Sequence, residues 1–61
     1  MKNVKIEFNL DAKVKIIPIE CEGRIISIWI TVHGIKYEVR YFDKAEAKSV
    51  YFYSDELKAI K

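Results

Sequence analysis

Only one cysteine occurs in the chain, Cys21, so no intramolecular disulfide framework can support it in the way such frameworks support small secreted domains. A cytoplasmic location is the expectation. Cys21 stands between Glu20 and Glu22, whose negative charges disfavour a thiolate, so a structural thiol is expected rather than a nucleophile. Histidine is as scarce. His33 and Cys21 are the only imidazole and thiol, too few for the four Cys or His ligands of a structural zinc site. No glycine-rich phosphate loop and no Ser-His-Asp arrangement can be drawn. The paired carboxylates Glu20/Glu22 and Asp55/Glu56 fall where a turn and a helix start account for them. With 61 residues there is little room for a ligand-burying pocket. These absences point away from an enzyme, with no catalytic residue, metal ligand or cofactor to name.

Long apolar runs are missing too. The longest apolar-dominated stretch, Ile25 to Val32, is less than half of the roughly 20 residues that span a bilayer, and nothing at the N-terminus reads as a signal peptide. Charge of one sign is not in excess: a net +2 permits a nucleic-acid partner without indicating one. What is present, 51% hydrophobic and 33% charged residues, describes a soluble globular chain. Its length leaves room for one domain over residues 1–61, with a thin core, because a chain this short buries only about 60% of its unfolded surface.

One proline and two glycines leave little loop. In "NVKIEFNL" the residues Val4, Ile6, Phe8 and Leu10 alternate with polar ones, predicting a strand over roughly residues 2–9. "AKVKIIPIE" repeats the alternation and then meets Pro18, which lacks an N–H and predicts an edge strand or a bend. "CEGR" reads as the next turn, with Gly23 free to take positive φ.

The stretch "IISIWITVHGIKYEVRYF", residues 25–42, predicts a hairpin turning at His33-Gly34. Counting outward pairs Val32 with Ile35, Ile30 with Tyr37, Trp29 with Glu38, Ser27 with Arg40 and Ile26 with Tyr41. Successive pairs alternate between faces. One face then collects the aliphatic residues with Tyr37 and Tyr41, and the other collects Thr31, Lys36, Trp29, Glu38, Ser27 and Arg40. A four-residue loop at 43–46 sets "KSVYFY" against this hairpin, Val39 facing Val50, Tyr37 facing Phe52, Ser49 facing Arg40 and Tyr51 facing Glu38. Trp29, Glu38 and Tyr51 become a row on the outer face, flanked by Lys36 and Tyr53 on one side and Arg40 on the other. "SDELKAIK" predicts one or two helical turns capped by Ser54, with Leu57 and Ile60 one turn apart.

These elements predict an all-β chain, a small five-stranded antiparallel barrel with a short C-terminal helical turn. The order "GRIISIWI…GIKYEVRYF…VYFYSDEL", residues 23–57, resembles SH3-like barrels of the Tudor, KOW and CarD-type kind, and resembles small bacterial and phage proteins. The resemblance implies the SH3-like fold, carries packing and turn positions, and brings no binding residues with it. An extra N-terminal strand leaves an OB-like barrel as the other reading.

The outer face, Trp29, Lys36, Glu38, Arg40, Tyr51 and Tyr53, is the candidate binding site. Trp, Tyr and Arg are the usual anchors of protein interfaces, which predicts a non-enzymatic module acting on a larger bacterial or phage assembly. The alternative is single-stranded nucleic acid, with Trp29, Tyr51 and Tyr53 as stacking platforms and Lys36 and Arg40 on phosphates. Against both stands the plain role of exposed cross-strand aromatics in steadying a sheet. The N-terminal segment or a second copy of the chain, as in a homodimer, could also cover the face. No membrane partner is expected.

Overall fold

A computed structural model of the chain describes residues 6–60. Five strands, β1 (Lys13–Ile16), β2 (Cys21–Thr31), β3 (Gly34–Asp43), β4 (Glu46–Tyr53) and β5 (Leu57–Ala59), form one antiparallel sheet in the order β4-β3-β2-β1-β5. The all-β expectation holds. Among the described residues no pairing joins β4 to β5, so the sheet keeps two edges.

The strand expected over residues 2–9 is not formed where it can be seen. Residues 2–5 of it lie outside the described residues, and residues 6–9 are not strand. Phe8 instead lies edge-on to Tyr37 at 5.3 Å, and the Glu7 backbone N–H donates to the Tyr37 hydroxyl at 3.0 Å. Of the described alternating residues only Phe8 packs on the core, while Ile6 and Leu10 are exposed. The segment joins the sheet further on, where the Asp11 N–H donates to the Ile25 carbonyl at 2.7 Å and the Ile25 N–H to that of Ala12 at 3.0 Å.

Pro18 bends the chain as one of its two readings required. Its missing N–H and fixed φ suit a 3-10 turn, Ile17–Ile19, closed by Glu20 at φ 53°. β1 is no edge strand, being flanked by β2 and β5. The turn expected at "CEGR" is therefore corrected: Cys21–Arg24 begin β2, pairing with β1 from Lys13↔Arg24 to Ile16↔Cys21. Gly23 is needed for closeness, not for positive φ. A Cβ there would meet Val39 Cγ1 at 2.6 Å and the Arg40 carbonyl at 2.8 Å.

The central hairpin turns one residue earlier than expected. Thr31 pairs with Gly34, so Val32 and His33 form the turn, and the residue with positive φ is Gly34 at 123°. The Thr31 hydroxyl ties the turn, donating to the Gly34 carbonyl at 2.8 Å and accepting the His33 N–H at 3.1 Å. Trp29 therefore faces Lys36 and not Glu38, Ser27 faces Glu38 and not Arg40, and Ile30 faces Ile35. Below Ser27 a β-bulge leaves Ile26 unpaired. It turns Ile25 inward, 1% exposed, and Ile26 outward, 44% exposed, reversing the expected place of Ile26 beside Tyr41.

The β3–β4 register is as expected, with Val39↔Val50, Tyr37↔Phe52, Arg40↔Ser49 and Glu38↔Tyr51. The connection is tighter: Lys44 and Ala45 alone bridge Asp43 and Glu46, both at positive φ, 53° and 66°. The C-terminal helical turn is corrected to a 3-10 turn, Ser54–Glu56, whose N-cap position is Tyr53 and not Ser54; the Glu56 carboxylate accepts the Tyr53 N–H at 2.9 Å. The chain then returns as β5, with Leu57 opposite Ile16.

The core is small and continuous. Val14, Ile16, Ile25, Tyr37, Val39, Tyr41 and Leu57 are buried, with Phe8, Cys21, Ile28, Ile35 and Phe52 packed against them. Each fully buried aliphatic side chain contributes on the order of 1.5–3 kcal/mol, and every one of these residues projects from the face opposite Trp29 or from the covering segment.

Candidate binding face

Residues directly opposite across a sheet share a face, so the pairing fixes what stands beside Trp29. Two rows cross β2, β3 and β4: Trp29–Lys36–Tyr53, and below it Ser27–Glu38–Tyr51. The expected row of Trp29, Glu38 and Tyr51 is therefore a diagonal, and the structure still brings its members together. The rings of Trp29 and Tyr51 meet edge-on at 6.2 Å. The indole Nε1–H donates to Ser27 Oγ at 2.9 Å, and that hydroxyl donates to Glu38 Oε1 at 2.7 Å. Lys36 Nζ stands 5.7 Å from the Tyr53 ring.

The indole is held in place without being buried. Trp29 is 53% exposed, Tyr51 45% and Tyr53 38%. Trp29, Thr31, Lys36 and Tyr51 line a shallow depression of about 240 Å³. The described part of the N-terminal segment does not cover it, because Phe8 packs on the core side. Why the indole stays outside is local chemistry: a buried indole N–H needs a partner, and here its acceptor Ser27, itself held by Glu38, is on the polar face.

Arg40 belongs to a different neighbourhood. It sits opposite Arg24 and Ser49, and Arg24 sits opposite Lys13, so three cations stand in one cross-strand row. This row escapes sequence reasoning because Lys13, Arg24 and Arg40 become neighbours only through two registers at once. The bulge adds a second hidden feature by presenting Ile26 outward, next to Phe42, which is 64% exposed. Together with Glu22 these residues line a larger cleft of about 510 Å³. Among the described residues no cluster of three or more His, Cys, Asp or Glu side chains forms, and no helix is long and apolar enough to cross a membrane.

No protein-family model, no curated protein and no solved structure matches this chain.

Proposed function

We propose that the chain is a small SH3-like barrel acting as a non-enzymatic binding module, docking on a protein of a larger bacterial or phage assembly in the cytoplasm. Strand order supports the barrel reading: a meander β2-β3-β4, a 3-10 turn, and a short β5 that returns to the far side of β1. The bulge at Ile26 supports it as well, because bulges bend long strands and let a sheet curl.

Docking uses Trp29, Tyr51 and Tyr53, with Lys36 and Glu38 supplying polar contacts around them. The observation that carries this reading is the restraint on an exposed indole. Trp29 is more than half exposed, yet its ring is tied to Ser27, which Glu38 holds in turn, and is braced by Tyr51. A side chain ordered before binding loses little freedom on binding, which suits an interface anchor. Single-stranded nucleic acid is less well served on this particular patch, since the Glu38 carboxylate lies between Lys36 and Arg40 where a phosphate would run.

The test starts from affinity capture with the tagged chain from host extract, followed by titration of the purified partner. Trp29→Ala and Tyr51→Ala are expected to stay folded, and Trp29→Ala to weaken binding about 30-fold, as for an interface hot spot. Equal affinity of wild type and both variants for that partner refutes docking through this face. Sedimentation across protein concentration separates a second copy of the chain from a foreign partner.

A further inference from the structure

The cleft at the β2 bulge has no part in the docking just described, and its make-up is unusual. Like charges directly opposite one another in a sheet are destabilising, yet Lys13, Arg24 and Arg40 stand opposite one another across β1, β2 and β3. With strands about 4.8 Å apart, their Cα atoms span only about 10 Å. Partial relief comes from Asp11, 3.5 Å from Arg24 and itself well exposed. Three cations thus face a single ion-paired carboxylate along the row.

The row's surroundings narrow the kind of anion that would suit it. The Arg40 guanidinium lies 5.8 Å from the Phe42 ring centroid, and Phe42 and Ile26 form an exposed apolar wall beside the cations. Glu22 lines the same cleft. A flat ring next to two guanidinium forks is the combination that receives a base and its phosphate. A carboxylate alongside suits a ligand that carries N–H or O–H donors near its anion, as amino-bearing bases and ribose do. A run of acidic side chains would be repelled by Glu22 and would leave Phe42 unused. A duplex keeps its bases stacked and could not lay one on the ring.

We propose that this cleft binds one nucleotide unit of a single-stranded nucleic acid, with the phosphate against Arg24, Arg40 and Lys13, the base on Phe42 and Ile26, and Glu22 accepting from the base or sugar. The site is separate from the Trp29 depression and goes beyond the protein-docking reading. The two stand or fall independently, because their anchor residues differ.

The experiment is fluorescence anisotropy of short labelled single-stranded oligonucleotides with the full chain at low salt. Wild type is expected to bind, with affinity falling as salt rises. Phe42→Ala should weaken binding about tenfold, the scale of one lost base stack. Arg24→Ala and Arg40→Glu should each weaken it and flatten the plot of log K against log salt by about 0.7 per lost phosphate contact. Trp29→Ala should leave the affinity within about twofold of wild type, since it lies outside the cleft. Circular dichroism of each variant confirms the fold, and exposed Phe42 keeps the test open should an arginine variant unfold. No binding at low salt overturns the proposal, as does a loss in Trp29→Ala equal to that in Phe42→Ala. Competition by polyglutamate as effective as by unlabelled oligonucleotide overturns it in favour of acidic peptide. Free AMP binding as tightly as the oligonucleotide overturns the single-strand assignment in favour of a free nucleotide.

Discussion

Gly23→Ala is the substitution on which the packing of the sheet can be judged most sharply. The added methyl carbon would lie 2.6 Å from Val39 Cγ1, 2.8 Å from the Arg40 carbonyl oxygen and 3.2 Å from Tyr41 Cβ, where carbon contacts are optimal only at about 3.5–4.0 Å. Val39 is 0% exposed and cannot swing away, and the Arg40 carbonyl belongs to the backbone of β3. β2 and β3 must therefore part by several tenths of an ångström at the point where β2 also holds β1. Overpacking of this kind costs about 1–3 kcal/mol. Against the roughly 3–9 kcal/mol expected for a chain of 61 residues, that is a large share. At about 4–8 °C per kcal/mol for a small domain, the thermal midpoint by circular dichroism should fall by about 4–24 °C. Gly34→Ala is the control: nothing lies within 4 Å of its added carbon, and only its φ of 123° is strained, so a loss of about 1 kcal/mol is expected. A Gly23→Ala midpoint within about 2 °C of wild type, below the smallest shift this overlap allows, refutes the close β2–β3 approach and the register built on it.

Two further outcomes follow from the backbone and the charges. Lys44 and Ala45 both sit at positive φ, a conformation that Asn-Gly adopts readily; the double change Lys44→Asn, Ala45→Gly should raise stability by about 1 kcal/mol, and a lower midpoint in urea refutes the two-residue turn. Arg40→Glu places an acid opposite Arg24 in the cation row. After the lost Phe42 contact is set against the new pairing, stability should rise by a few tenths to about 1 kcal/mol, while a loss of more than about 1 kcal/mol refutes the stacking of the three cations.

Between Ser27 and Lys36 face membership was legible in the sequence, and the β2–β3 partners were not. The hairpin turns at Val32-His33, one residue from the expected place. Moving a two-residue turn by one position shifts every cross-strand partner by two along one strand, and period-2 alternation keeps each side chain on its face. Trp29 thus stays with Lys36, Glu38 and Ser27 although it changes its partner. Of the expected turn pair His33-Gly34, only Gly34 takes positive φ, and it does so just after the Val32-His33 turn. The bulge at Ile26 leaves no mark in composition: Ile25, Ile26 and Ile28 are chemically alike, and which of them faces inward is decided by packing against Val39 and Tyr41. The β3–β4 register was legible because Val39, Tyr37, Val50 and Phe52 alternate with polar or aromatic neighbours on both strands. At the C-terminus, Ser54, Asp55 and Glu56 suit any helical start equally, and Leu57 decides between a longer helix and a strand by burying itself opposite Ile16. The cation row needed two registers to exist at all.

The docking reading requires Trp29 to be displayed and not to hold the core together, and denaturant unfolding of Trp29→Ala tests this without any knowledge of the partner. Its indole is 53% exposed and touches Tyr51 and Ser27 rather than the inner face. The expected loss is the cross-strand pair alone, about 1 kcal/mol or less, with an unchanged m-value. A loss of 3 kcal/mol or more, the range of a core aromatic cut to alanine, would contradict the account.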